Sequence, residues 1–127
     1  MTAAIDAWHA YVKSRDAAGL DALLAEDAVF ESPVVHTPQV GRPIVAKYLA
    51  SALKVLGNDS FTYVNEWTAP GSAVLEFQVE IDGIKVNGVD IIGWNAAGQI
   101  DRFKVMIRPL KAINLLHQKM AAQLTAG

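Results

Sequence analysis

Cysteine is absent from all 127 residues, which excludes disulfides, thiolate metal ligands and cysteine nucleophiles, and leaves the compartment unreadable from redox chemistry. Histidine is scarce. Its three copies, at positions 9, 36 and 117, include no His-x-x-x-His or Glu-x-x-His spacing of the kind that presents two ligands from one helix face, so neither a metal nor another cofactor is expected. An excess of one charge is also missing. Eleven Lys and Arg against 13 Asp and Glu give a net charge of −2, without the basic footprint of a nucleic-acid binder. No apolar run approaches the roughly 20 residues of a membrane-spanning helix, and Met1–Asp6 has neither a basic n-region nor an apolar h-region. The expectation is a cytoplasmic protein with no nucleic-acid or membrane partner.

What is present is a generous interior. A hydrophobic fraction of 52% and a charged fraction of 19% describe a globular chain, and its length suits one domain spanning residues 1–127. Ile5, Trp8 and Val12, with Ala4 and Tyr11 beside them, follow helical spacing from an N-cap at Thr2 and predict a first helix to about Arg15. Leu20, Leu23 and Leu24 suggest a short second helix. Val29-Phe-Glu-Ser32 reads as a short strand ended by Pro33, and residues 33–43 as loop. Pro43 suits the first position of a third helix carrying Ile44, Tyr48, Leu49, Ala52, Leu53 and Leu56, stopped by Gly57-Asn58.

From Phe61 the period changes to that of strands: Phe61–Trp67, Ser72–Ile81, Ile84–Trp94 and Gln99–Arg108. Pro70-Gly71, the two-residue hairpin signal Asp82-Gly83 and the four-residue Asn95-Ala-Ala-Gly98 join them into an antiparallel meander. On the second of these strands Ala73, Leu75, Phe77, Val79 and Ile81 share one face, with Ser72, Glu76, Gln78 and Glu80 on the other. Pro109 opens a last helix whose apolar line is Leu110, Ile113, Leu116, Met120 and Leu124. Helices followed by antiparallel strands make an α+β domain, in which a long curved sheet closed by helices forms a cone with a pocket.

One residue breaks the pattern. Asp90 lies on the strand face that also carries Ile84, Val86, Ile92 and Trp94. A carboxylate there is either a hydrogen-bonded structural acid or an acid held protonated as a donor to a ligand, because desolvation disfavours the charged form. The aromatics Trp8, Trp67, Trp94, Phe77 and Phe103 are core residues or ligand-stacking walls. Arg102, Lys104 and Arg108 alternate on one face of the last strand, as a solvated or dimer-facing row does.

The element order, with Leu24-Ala-Glu-Asp-Ala-Val-Phe-Glu-Ser-Pro33, Gly41-Arg-Pro-Ile44, Val89-Asp90 and Val105-Met-Ile-Arg-Pro-Leu110, resembles the nuclear transport factor 2-like superfamily, in particular its SnoaL-like branch. That resemblance covers nearly the whole chain. It implies a cone-shaped, curved antiparallel or mixed sheet wrapped by three to four helices around an apolar pocket, and a homodimer through the outer sheet face, where Val89 and Ile91 lie. Within the superfamily, ketosteroid isomerases use an Asp base and an oxyanion hole made of a Tyr and a protonated Asp. The resemblance places Asp90 at the protonated acid and Tyr11 at the phenol. It puts Ser32 where the base would be, and a serine hydroxyl cannot take a carbon-bound proton near neutrality. His36 is the residue that could replace it. Limonene epoxide hydrolase-like members need residues that Gly88, Phe30, Ser32 and Val105 do not supply, and polyketide cyclases need an acid near Val105.

The residues and the resemblance together predict a SnoaL-like protein binding a small apolar molecule that carries a carbonyl or hydroxyl. Asp90, Tyr11 and His36 are its candidate catalytic residues, and Ser32, Phe77, Trp94, Phe103 and Val105 its candidate contacts. Acid-assisted isomerase, cyclase or dehydratase chemistry is open to it. The alternative is a non-catalytic ligand-binding or dimerisation module in which Asp90 is structural.

Overall fold

The computed structural model describes residues 3–126. Helix α1, Ala3–Ser14, turns Ala4, Ile5, Trp8 and Tyr11 inward at the expected spacing; the proposed N-cap Thr2 lies outside the described residues. A 3-10 turn, Ala17–Gly19, is capped by Asp16, whose side chain accepts a hydrogen bond from the Ala18 N–H. It runs into α2, Leu20–Leu23, and β1, Leu24–Glu31. Leu24 thus belongs to the strand rather than the helix, and β1 is longer than the sequence suggested. Its alternation is interrupted at Glu26 and Asp27, both exposed, where the register against the neighbouring strand shifts. That irregularity hides the first half of the strand from a period-two reading.

The expected loop contains a two-residue strand, β2, Gln39–Val40, paired with Val29 and Phe30. Helix α3, Arg42–Leu56, has Pro43 in its first turn, where the missing N–H costs nothing, and stops at Gly57. The meander follows as β3 (Thr62–Ala69), β4 (Ser72–Ile81), β5 (Ile84–Trp94) and β6 (Ile100–Arg108), and α4 spans Leu110–Ala126. The order across the sheet is β2-β1-β6-β5-β4-β3. β1 lies parallel to β6 and every other pairing is antiparallel. Among the described residues the architecture is therefore α+β, with four helices and an open, mixed, curved sheet of six strands.

Asp82 (φ 52°) and Gly83 (φ 78°) are both left-handed, as a two-residue turn matched to the twist of its strands requires. On β4 the apolar set faces inward as its spacing predicts. Phe77 is wholly buried, and a ring of this kind deleted to alanine costs ~3–5 kcal/mol. Gly88, directly opposite Phe77, leaves room for it: a Cβ there would stand 2.6 Å from the ring tip and 2.7 Å from the Met106 carbonyl. α1, α3 and α4 cover this inner face with Trp8, Val45, Leu49, Ala112 and Leu116. Among the described residues no helix is long and apolar enough to cross a membrane.

Candidate functional site

Between the sheet and the helices lies a cavity of about 210 Å³, many times what one water molecule needs. Its walls are mostly apolar, with Phe30, Phe77, Phe103 and Val105 from the strands, Leu49 from α3, and Leu116 and Leu124 from α4. Asp90 reaches it from the middle of β5 and is only 6% exposed. Its partner is the phenol of Tyr63 on β3, whose hydroxyl lies 2.6 Å from Asp90 Oδ2. The same hydroxyl oxygen accepts a 3.0 Å hydrogen bond from Trp8 Nε1 on α1.

Proton positions in this chain follow from valence. Indole N–H can only donate, so the Tyr63 oxygen is the acceptor there and its single proton is left for Asp90. Oδ2 is thereby occupied. The one side-chain hydrogen bond to the Asp90 carboxyl among the described residues is that at Oδ2, so a proton carried by Asp90 resides on Oδ1, free for a ligand. Burial pushes the Asp90 carboxyl up from 3.8 to about 7, with the Tyr63 bond opposing the rise. Burial, the Asp90 charge and the bond to it hold the Tyr63 phenol well above its ordinary range. At neutral pH the pair therefore presents a phenol that stays protonated and an acid poised between its two forms.

Trp8 is fixed from both sides. Its ring lies 4.7 Å from Phe103, and the next residue, His9, meets Glu66 of β3 at 2.7 Å, which ties α1 to the strand that carries Tyr63. Asp90, Phe77, Phe103, Val105 and Ser32 all border the cavity. The Ser32 hydroxyl accepts from the N–H groups of Val34 and Val35, so its oxygen fastens the mouth loop in a serine turn.

Three sequence expectations are corrected. Tyr11 is buried but does not line this cavity: its ring packs tilted against Trp8 at 5.2 Å and borders a second one. Tyr11 lies three positions after Trp8, so they share a helix face about one turn apart, and it is Trp8 that meets the strand carrying the phenol. His36 is exposed in the loop and does not reach the cavity. The imidazole that borders it belongs to His117 on α4, exposed at the mouth beside Val35. Trp94 is half-buried against the core but absent from the cavity lining: it ends β5, past the register shift after Gly93.

Tyr63 and His117 are thus the site residues that sequence reading missed, while Trp8, read as a core residue or ligand-stacking wall, borders the cavity and also holds the phenol. The only signal for Tyr63 was its aromatic character on a strand. β3 is an edge strand exposed along nearly its whole length, with a register shift between Tyr63 and Asn65, so alternation could not say which way the phenol points.

The family model of the SnoaL-like domain matches residues 5–103. Among solved structures, a steroid delta-isomerase from Pseudomonas aeruginosa is 35% identical, with a TM-score of 0.93 over 98% of this chain and 91% of its own. An uncharacterized bacterial protein with a cystatin-like fold from Silicibacter pomeroyi is 31% identical, with a TM-score of 0.90 over 98% and 87%. A de novo designed protein with a curved β-sheet shares the fold at 15% identity, with a TM-score of 0.72 over 91% and 94%. Among curated proteins none matches. With 99 consecutive residues matched by the family model, the chain belongs to the SnoaL-like family, and its cone of sheet and helices is the fold of nuclear transport factor 2-like proteins.

Proposed function

We propose that the cavity binds a small apolar molecule through a carbonyl or hydroxyl oxygen, with Asp90 as hydrogen-bond donor and general acid. The observation that carries this is the Asp90 carboxyl at the wall of an apolar cavity, with one oxygen held by Tyr63 and the other unpartnered. A neutral acid in a dry site donates where little water competes, so negative charge developing on a ligand oxygen is stabilised. The chemistry this supports is isomerase-type enolisation: Asp90 protonates or hydrogen-bonds the carbonyl oxygen while a base takes the proton on the adjacent carbon. Ser32 cannot be that base. His117 is the imidazole bordering the cavity and fills the role in this reading. The similarity to the Pseudomonas aeruginosa steroid delta-isomerase supports the same reaction class.

Binding without turnover is the second reading, favoured by the commitment of the Ser32 oxygen to its turn. The two readings separate in one experiment on apolar cyclic ketones. Exchange of the α-hydrogens with deuterated water, catalysed by the wild type and lost in both Asp90→Leu and His117→Ala, supports the isomerase reading. Binding without exchange leaves a ligand-binding protein, and no binding of any ketone overturns both.

The protein further acts as a homodimer in this reading, through the outer sheet face. Trp67 and Met106 are 56% and 53% exposed there, on the opposite side of their strands from the cavity.

A further inference from the structure

We propose that the cleft between the last turns of α1 and α3 is a second binding site, for the carboxylate or phosphate group of a small anionic molecule. The cleft, about 200 Å³, is bordered by Tyr11, Arg15, Ala17, Leu53, Lys54 and Gly57, with Ala50 behind. No acidic side chain is among them.

Three features of this cleft fit together. Tyr11 is 5% exposed as a residue, and its hydroxyl, which has no hydrogen-bond partner among the described residues, is not a buried unpaired atom: it reaches solvent, where a ligand can take the place of water. Burial pushes the phenol above its ordinary range, so it remains a donor. Arg15 is the residue that follows α1, and its φ of 58° is left-handed, a place where glycine or asparagine is favoured and where a larger L-residue is strained. Strain kept in this way belongs with a side chain that is needed there. Lastly, neither Arg15 nor Lys54 enters an ion pair among the described residues. Asp16, the acid next to Arg15 in sequence, has its Oδ1 committed to the Ala18 N–H.

The cleft therefore gathers a guanidinium, an ammonium and a phenol, each able to donate, with no carboxylate or amide side chain in its lining. That set matches an oxyanion. Cations at helix C-termini also favour the helix dipoles, which accounts for the charges but not for the unpaired phenol or the left-handed arginine. The site is distinct from the Asp90 cavity, with which it shares only Leu53, so its test does not depend on the proposed reaction.

The test is an amide NMR titration of the intact protein with sodium phosphate and, separately, sodium acetate, each at ionic strength held constant with chloride. Saturable shifts are expected at the amides of Arg15, Ala17, Lys54 and Gly57 with at least one of the two. Tighter phosphate assigns a phosphate ester and tighter acetate a carboxylate. Arg15→Gln and Lys54→Gln should each weaken the binding about tenfold or more and Tyr11→Phe by a smaller factor, while Arg102→Gln, a surface cation elsewhere, should bind as the wild type does. Arg15→Gly carries a second readout: it relieves the left-handed strain, so its Tm should rise as anion binding falls. Shifts that never saturate with either anion, or Arg15→Gly and Lys54→Gln proteins that bind like the wild type, would overturn the site.

Discussion

A phenol has one proton, and at Tyr63 its direction is fixed by Trp8, whose indole can only donate to the hydroxyl oxygen. Two variants follow from this ordering. In Tyr63→Phe the bond that lowers the Asp90 pKa is gone, so Asp90 should titrate above about 7 and ketone binding should persist to higher pH. The Trp8 N–H is left unpaired and stability falls by ~1–3 kcal/mol, measured by urea denaturation. In Asp90→Asn the amide can still donate to a ketone, so binding persists without pH dependence, whereas Asp90→Leu loses the donor and ~1–3 kcal/mol of binding, read by calorimetry. Tyr11→Phe should leave ketone binding unchanged, since Tyr11 borders the other cleft. At this scale the sequence was partly legible. Strand alternation put Asp90 on the inner face, but no local pattern could say that a residue on α1 and another 55 positions later would share a hydrogen bond.

Whole elements were more readable than their contacts. β4 and β5 have the ends that their alternation and the Asp82-Gly83 turn predict, because period-two patterning and left-handed turn residues are local properties. β1 and Trp94 were misread at register shifts, which depend on the neighbouring strand. The same logic gives a prediction on β5. Gly88→Ala would put a methyl against the Phe77 ring and the Met106 carbonyl. The ring must leave its place in the core and cavity wall, so stability should drop by ~1–3 kcal/mol and ketone affinity with it. A thermal melt equal to the wild type would show that the ring is free to move aside.

Asp90 also makes the stability of the whole molecule depend on pH. Its folded pKa of about 7 stands above the ordinary carboxyl value of 3.8, so the folded chain holds a proton that the unfolded chain releases. Stability should therefore fall as pH rises from about 4 to about 7, by on the order of 4 kcal/mol. Glu76, whose pKa is lowered by hydrogen bonds from Asn65 and Asn87, acts in the opposite sense, and its effect is lost only as pH falls through the acid range. The comparison thus belongs between pH 5 and 8. There the wild type should lose Tm with rising pH and Asp90→Asn should not; parallel curves would show that Asp90 is ordinary in the folded state. For the dimer, sedimentation at micromolar concentration should give about twice 13.7 kDa, and Trp67→Glu with Met106→Glu should return the monomer mass. A wild-type mass of 13.7 kDa would remove the dimer.

The central claim is that Asp90 is an acid poised near neutrality whose free oxygen meets the ligand. It is tested most directly by carbon-13 NMR titration of the Asp90 carboxyl, with and without a saturating apolar ketone. The predicted midpoint is near pH 7 in the free protein and higher in the complex, because a ketone binds the protonated acid in preference to the carboxylate. A midpoint near 4, unmoved by a ketone that demonstrably binds, would contradict the account.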